Sequence, residues 1–419
     1  MDNCIRLKPT QRQLDFLRWE FGMFFHFGIR SFYLGHRDWD GREMPTSGFL
    51  PDNLDCEQWI NTSKQAGAKY AILTAKHHDG FANWPSKYTE YSVANTPWKQ
   101  GKGDVVAEFV AACRKYGLKV GLYYSPAQWG EGAVSFTEEK EYDDYFINQI
   151  SELLTGYGKI DYLWFDGNGS GNHEYDVPRI IKAIRSMQPE ILIFSMWDPN
   201  TRWIGNEDGY APSPNPYTVP QKPHFRLSTE EEKRLGMKFL PGECDCKMRS
   251  TWFDCEENED TIKTLEELIG MYEYSVGRGA NFLLNIGPSR TGRLPEKDTA
   301  RLLELGEEIR RRYGSPVGNF SELTPAGAAD SFCIISDKNE IIDRVAIEED
   351  LTDGESVTGF KVYAHLPAYR SEKILVYTGT TIGSKAICVF PAIRTAKLVV
   401  EITGHCGDYK LKSMKPYKA

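Results

Sequence analysis

The sequence predicts a (β/α)8-type barrel, with room for irregularity, followed by a small antiparallel β-sandwich. Three observations support this fold class: short apolar runs alternate with amphipathic helical patterns over the first three quarters of the chain, those runs are apolar on both faces, and the pattern changes to short β-rich runs near residue 316. Strand-then-helix units of this kind indicate a parallel sheet covered by helices. We therefore predict a barrel domain over 1–315 and a sandwich domain over 316–419.

The barrel elements follow one another in regular order. The predicted strands are 21–28, 69–80, 119–126, 160–167, 191–197 and 280–288, and the predicted helices are 56–67, 104–117, 138–158, 176–189, 261–279 and 294–314. No G-x-G-x-x-G or Walker-type loop follows any of these strands, which argues against a nucleotide-binding doubly wound sheet. A barrel is therefore favoured, with its functional residues at the carboxyl ends of the strands.

The last hundred residues have no helical period. Short β-rich runs separated by turn residues occupy 331–337, 344–350, 358–366, 373–383, 386–392 and 396–403. Runs of this length and spacing predict a small antiparallel sandwich.

Composition excludes several classes of partner. The 50 basic and 59 acidic residues give a formal charge of -9, which disfavours nucleic acid and anionic membranes as partners. No stretch has the roughly 18 to 20 apolar residues of a membrane span. The N-terminus lacks a secretory signal pattern, so the chain is expected to be cytoplasmic unless a signal has been removed, in which case it is periplasmic or secreted. The aromatic content of 13% suits sugar binding and a plain large core equally.

The cysteines predict neither a disulfide framework nor a metal site. Nine cysteines in a long chain are an odd number without dense spacing, so reduced, buried thiols are expected. Cys244, Cys246 and Cys255 form a C-x-C-x8-C pattern that lacks the two-plus-two spacing of a zinc site.

Asp166 is the first candidate for chemistry. It follows the apolar run "IDYLWF" and precedes Gly167 and Gly169. A carboxylate at the carboxyl end of a barrel strand faces the barrel mouth, the glycines leave the space above it open, and Trp164 shares its face of the strand. The alternative is an aspartate that ends the strand by accepting backbone N–H groups of the glycine turn.

Three histidines lie at the ends of two other predicted strands. They are His26 and the adjacent pair His77 and His78 in "AKHHDGF". Neighbouring strand residues point to opposite faces, so the pair is not a natural metal chelate. If the strand ends at Lys76, both imidazoles can reach the hydroxyls of a ligand, although a single histidine is more often structural.

A second catalytic carboxylate has two candidates. Glu207 lies in the glycine-flanked loop "RWIGNEDGY", and Glu243 lies in "LPGECDCKMRSTWF" beside a further strand. Each also fits an ordinary exposed or salt-bridged acid, so the local sequence does not choose between them.

Seven motifs in order carry a family resemblance. "HFGIRSFYLGHRDW", "AKHHDGFANWPS", "GLYYSP", "YLWFDG", "RWIGNEDGY", "ECDCKMRSTWF" and "SVGRGANFLLNIGPSRTG" resemble the family 29 glycoside hydrolases, the retaining α-L-fucosidases. The tail segment "GTTIGSKAICVFPA" is similar to their C-terminal β-sandwich. The resemblance covers nearly the whole chain.

The resemblance implies roles for individual residues. It makes Asp166 the nucleophile and Trp164 a wall of the fucose pocket. The further substrate contacts that it implies come from His26, Asp38, Trp39, His77, His78, Tyr124, Arg202 and Trp252. Such sequences usually carry Glu-Trp in the first long loop, whereas this one has Asp38-Trp39, so that Asp38 extends less far toward the sugar.

The "GNE" loop resembles the branch of the family that prefers α-1,3/1,4-linked fucose. This likeness points to Glu207 as the acid/base, with Glu243 as the alternative. Retention would require the two carboxyl groups to lie about 5 to 5.5 Å apart, with Glu207 protonated and Asp166 ionised. The implied substrate is a fucosylated oligosaccharide or glycoconjugate, and no metal or organic cofactor is required. A barrel that binds fucosylated glycans but has lost activity is the competing hypothesis.

Overall fold

The structure, a computed structural model, describes residues 5–33, 35, 42–128, 139–170, 173–221, 236–368 and 372–419. Its first ten strands are β1 (Phe21–Phe25), β2 (Tyr70–Lys76), β3 (Lys119–Tyr124), β4 (Tyr162–Phe165), β5 (Leu192–Phe194), β6 (Arg202–Trp203), β7 (Thr218–Pro220), β8 (Met237–Phe239), β9 (Gly242–Lys247) and β10 (Asn281–Asn285). Eight of them form one parallel sheet in the order β5-β4-β3-β2-β1-β10-β9-β6. A parallel bridge between Phe194 and Thr201 brings the two ends of the sheet together. The predicted barrel is confirmed.

Seven helices are described: α1 (Gln11–Trp19), α2 (Cys56–Ala66), α3 (Val105–Tyr116), α4 (Glu139–Gly156), α5 (Val177–Met187), α6 (Leu265–Ser275) and α7 (Glu296–Tyr313). Their ends follow ordinary capping chemistry. In α3, the Asp104 side chain accepts the Ala107 N–H, and Gly117 ends the helix with a left-handed φ of 72°. None of the described helices is both long and apolar enough to cross a membrane.

Helix α1, which the sequence patterns did not predict, closes the amino-terminal end of the barrel. A capping box between Thr10 and Gln13 starts it. Its fully buried Phe16 packs against Tyr162 with ring centroids 5.5 Å apart. Helix α1 thus plugs the amino-terminal end of the barrel.

Strand alternation separates two apolar layers. Inward side chains such as Tyr123 and Trp164 form an aromatic cluster inside the barrel. Outward side chains such as Tyr124 and Phe165 join the larger cluster beneath the helices. Because successive strand residues point to opposite faces, a shift of one residue moves a side chain from the site to the outer core.

The C-terminal domain is an antiparallel sheet of β11 (Thr324–Pro325), β12 (Ser331–Glu349), β13 (Val357–His365), β14 (Lys373–Gly379), β15 (Ala386–His405) and β16 (Leu411–Tyr417). Two pairs of predicted short strands are each one long strand, β12 and β15. Register shifts interrupt their pairing in the polar middle segments, but the pairing resumes beyond each shift, so neither strand turns back. Both halves of β12 and β15 contribute to a single apolar core.

Polar contacts join the two domains. Glu273 of α6 accepts hydrogen bonds from Arg312 at 2.9 Å, from the Tyr313 hydroxyl at 2.6 Å and from Arg344 of β12 at 2.5 Å. The Arg6 guanidinium donates to the carbonyl of Asp408 at 2.8 Å. Helix α7 ends at Tyr313 and β11 begins at Thr324, on either side of the predicted boundary.

One expectation for the cysteines is wrong. Six described cysteines are free and buried as expected, and Cys255 is free and half-buried. Cys406, in contrast, is disulfide-bonded. Within the described ranges, no group of three or more His, Cys, Asp or Glu side chains is placed to hold a metal ion.

Candidate active site

A cavity of about 1060 Å³ opens at the carboxyl end of the barrel. This volume is at the upper limit of the roughly 300 to 1000 Å³ of small-ligand pockets. Seven residues predicted from the sequence line it: His26, His77, His78, Trp164, Asp166, Glu207 and Trp252.

Asp166 lies at the end of β4 with its side chain 25% exposed. The Tyr123 hydroxyl donates to its Oδ2 at 2.9 Å, and the Asn168 N–H donates to its Oδ1 at 2.8 Å. His78 Nε2 is 3.4 Å from Oδ2. Burial alone would raise the pKa of Asp166, but the charge of His78 and these hydrogen bonds more than offset it, so the pKa lies below its usual value. Asp166 therefore accepts a backbone N–H at the end of the strand and also presents an ionised carboxylate to the cavity.

His26 and His77 are neutral donors or acceptors. Burial lowers the pKa of His26 to about 3, although its hydrogen bond to Asn285 opposes the change. The Asn285 amide nitrogen donates to the Trp252 carbonyl at 2.7 Å, so its oxygen, 2.8 Å away, accepts from His26 Nδ1. That tautomer leaves Nε2 of His26 as an acceptor. Burial likewise lowers the pKa of His77 well below its usual value.

Aromatic rings form the cavity walls. Trp164 stacks on Phe194 at 4.0 Å and on Tyr123 at 5.4 Å between centroids. On the other side, Trp252 stacks on His26 at 4.8 Å. Rings beside polar donors suit a ligand with both apolar and hydroxylated faces, such as a sugar.

The tyrosine of "GLYYSP" that lies in the cavity is Tyr123, whereas the sequence prediction named Tyr124. Tyr124 is fully buried on the outer face of β3, where its hydroxyl donates to Gln149 of α4 at 2.7 Å. Alternation along β3 explains the correction, because the register of the strand could not be read from two adjacent tyrosines.

Arg202 shows the same one-residue effect. It does not line the cavity; its guanidinium donates to the Asn215 side chain and to the Pro216 carbonyl. The next residue, Trp203, lines the cavity instead. Asp38 and Trp39 lie outside the described residues.

Glu207 lines the cavity but is not buried. Its side chain is 48% exposed, and its Oε2 is 2.8 Å from Lys247 Nζ. Lys247 also lies over the Trp252 ring, 4.8 Å from the centroid. An exposed ion pair of this kind contributes roughly 1 kcal/mol or less, so an entering ligand can separate it at low cost.

Glu243 lies below the cavity floor, with no exposed surface. Its carboxyl group accepts from the Tyr70 hydroxyl at 2.6 Å, from Trp164 Nε1 at 2.9 Å and from the Tyr162 hydroxyl at 3.2 Å. Burial raises the pKa of Glu243 to about 7 despite these hydrogen bonds. The carboxyl group thus ties β9 to β2 and β4 and has no face open to the cavity.

Alternate residues of β9 face the barrel interior. Above Glu243, Asp245 accepts Trp203 Nε1 at 2.8 Å and borders the cavity. Burial and then the charge of Glu207 raise the pKa of Asp245 well above its usual value. The sequence analysis missed Asp245, Lys247, Trp203 and Tyr123. The period of two in "ECDCK" could have indicated the first two, since Cys244 and Cys246 face the outer layers.

Comparison with known proteins extends these observations. Residues 7–313 match the family model described as alpha-L-fucosidase. The chain is 36% identical over 308 residues to alpha-L-fucosidase 1 of Arabidopsis thaliana, a match that covers 71% of this chain and 60% of that protein. The chain therefore spans less than two thirds of that relative's length.

Solved structures of similar fold cover nearly the whole chain. A glycoside hydrolase 29 family member from an unknown rumen bacterium is 30% identical with a TM-score of 0.87, covering 99% of this chain and 78% of that one. A Ruminococcus gnavus GH29 fucosidase in complex with fucose is 25% identical with a TM-score of 0.83, covering 100% and 97%. The chain belongs to the alpha-L-fucosidase family.

Proposed function

We propose that the protein hydrolyses terminal α-linked L-fucose from glycans with retention of configuration, with Asp166 as the nucleophile and Glu207 as the acid/base. The observation that carries the proposal is the state of Asp166. Three donors around its carboxylate keep its pKa low, yet a quarter of the side chain is open to the cavity. Glu207 lines the same cavity, whereas Glu243 has no exposed surface.

In the first step an Asp166 oxygen attacks the anomeric carbon, and the bond from that carbon to the glycosidic oxygen breaks. Glu207 gives its proton to the departing oxygen. In the second step Glu207, now ionised, takes a proton from water as the water oxygen attacks the same carbon and releases Asp166.

The chemistry of fucose fits the walls of the cavity. Fucose is a 6-deoxy sugar with three free hydroxyls when it is linked through its anomeric carbon. Stacked Trp164 and Phe194 offer apolar surface for the methyl group and the ring. His26 Nε2 offers an acceptor to one hydroxyl, because Nδ1 is committed to Asn285.

The "GNE" loop supports a preference for α-1,3/1,4-linked fucose within this proposal. The cavity volume of about 1060 Å³ leaves space beside a bound fucose for the sugars of a branched glycan. Initial rates on a panel of fucosylated oligosaccharides would test this preference. Faster release from α-1,2-linked substrates than from α-1,3/1,4-linked substrates would contradict it.

Turnover of an aryl α-L-fucoside, followed by proton NMR, tests the central proposal. Retention predicts that α-L-fucose appears before its mutarotation to the β-anomer. First appearance of the β-anomer would contradict the mechanism. No turnover, together with measurable binding of fucosylated glycans, would support the alternative of a barrel that only binds them. The pairing of half-exposed Glu207 with Lys247 is the observation that keeps that alternative in view.

A further inference from the structure

Ser125 lies immediately behind the histidine that contacts Asp166. It follows β3, and its side chain is fully buried. Its hydroxyl oxygen is 2.6 Å from His78 Nδ1 and 2.9 Å from the Ala127 carbonyl oxygen. The backbone N–H of Ser125 donates to the Lys76 carbonyl at 2.9 Å, which ties its position to the end of β2.

The direction of these hydrogen bonds follows from the number of protons. A hydroxyl group has one proton to donate, and a carbonyl oxygen can only accept. If both short contacts are hydrogen bonds, Ser125 donates to Ala127 and accepts from His78, so Nδ1 of His78 carries a proton. The reverse tautomer would leave the Ala127 oxygen, among the described residues, with a single long contact from Lys76 Nζ at 3.5 Å. An undersatisfied buried carbonyl has a cost of about 1 to 3 kcal/mol.

The other ring nitrogen of His78 faces the reaction centre. Nε2 is 3.4 Å from Asp166 Oδ2, the oxygen that also accepts from Tyr123. His77 lies beside the ring, with centroids 4.4 Å apart. With Nδ1 committed to Ser125, Nε2 is the only nitrogen of His78 that can gain or release a proton toward the carboxylate or a sugar hydroxyl.

We propose that Ser125 is a positioning residue that keeps a proton on Nδ1 of His78, so that Nε2 is the nitrogen presented to Asp166 and to the bound sugar. The part of this inference that concerns the sugar rests on the proposed function. The part that concerns the proton on Nδ1 rests on hydrogen bonds within the chain alone. Ser125 acts through His78 and does not itself contact the cavity.

Nitrogen-15 NMR of the wild-type chain labelled at histidine tests the tautomer directly. The His78 signals are assigned by their loss in His78→Gln. We expect a protonated Nδ1 that exchanges slowly with water, since Ser125 and His78 are both buried. An unprotonated Nδ1 would overturn the inference whether or not any variant folds.

Kinetics of Ser125→Ala test the positioning role. We expect kcat/KM on an aryl α-L-fucoside to fall by about 10- to 100-fold, the range seen when the partner that orients a metal-binding histidine is removed. The fall should be mainly in kcat, because the other groups that line the cavity remain in place. Ser125→Thr, which keeps the hydroxyl, should restore most of it.

Ser63→Ala is the matched control. Ser63 is also fully buried, and its hydroxyl donates to the Trp59 carbonyl at 2.7 Å within α2, away from the cavity. Equal effects of the two alanine variants would overturn the positioning role. Wild-type turnover with an unprotonated Nδ1 would overturn this inference alone. A protonated Nδ1 in a chain that turns over no fucoside would overturn the proposed function and leave the tautomer standing.

Discussion

The Tyr123 hydroxyl donates a hydrogen bond of 2.9 Å to Asp166 Oδ2, so a residue of β3 holds the carboxylate that ends β4. The neighbouring Tyr124 donates to Gln149 on the opposite side of the strand. The two adjacent tyrosines therefore have different partners, because their side chains lie on opposite faces of β3. This pair provides the first prediction.

Tyr123→Phe should lower kcat on an aryl α-L-fucoside by about 10- to 100-fold, because a hydrogen bond to a charged group contributes about 1.5 to 3 kcal/mol. Tyr124→Phe, the control, loses a neutral hydrogen bond in the outer core. It should lower the free energy of unfolding by about 1 kcal/mol and leave kcat unchanged. If kcat fell in Tyr124→Phe and not in Tyr123→Phe, the assignment of Tyr123 to the site would be wrong.

Asp166→Ala should abolish hydrolysis, and an added small anion such as azide should restore part of the rate by entering the space that the carboxylate occupied. Asp161→Asn is a control at the opposite end of the same strand, where Asp161 accepts the Val120 N–H at 3.0 Å. We expect Asp161→Asn to retain turnover. Undiminished activity in Asp166→Ala would exclude Asp166 as the nucleophile.

Glu207→Ala should lose most activity on natural glycans and less on an aryl fucoside with a good leaving group, since only the poor leaving group needs a proton. Glu243→Gln should show the same ratio between the two substrates as the wild type, because Glu243 has no surface in the cavity. The ratio of the two rates is the measurement. A wild-type rate of Glu207→Ala on glycans would transfer the acid/base role elsewhere.

The stability of the protein should fall as pH rises through the range in which Glu243 titrates. In the unfolded chain this carboxyl ionises near its usual pKa of 4.5, whereas in the folded chain it holds its proton up to about pH 7. Its contribution to stability is therefore complete below about pH 4.5 and decreases by about 3 kcal/mol as pH rises to about 7.

Urea unfolding at several pH values checks this expectation. Glu243→Gln resembles the protonated carboxyl group, so its free energy of unfolding should decrease less between about pH 4.5 and pH 7 than that of the wild type. Parallel pH dependences in the two proteins would mean that Glu243 does not hold its proton in the folded state.

Much of the fold was predictable because its signals are local. Apolar runs closed by glycine placed six of the eight strands of the barrel sheet, and most helices, to within a few residues. The ends of those strands contained Asp166 and the three histidines. Strands β6 and β9 lie in the long irregular stretch for which no strand bounds were predicted. Helix α1 was missed because its apolar side chains, such as Phe16, pack against barrel strands that are distant in the chain. The strands β12 and β15 were divided because polar residues at a register shift resemble a turn.

The amino-acid sequence by itself determined the barrel, the edge at which its site lies and the aspartate that occupies that edge. The apolar pattern of a helix or strand, and the glycine that ends it, depend on residues close together in the chain, so both can be recognised in the sequence. Only the tertiary structure decided which of two adjacent tyrosines faces the cavity, and which of two glutamates is open to a ligand. The face to which a side chain points depends on the register of its strand. The exposure of a side chain depends on residues distant in the chain, and Tyr70, Tyr162 and Trp164 enclose Glu243 in this way.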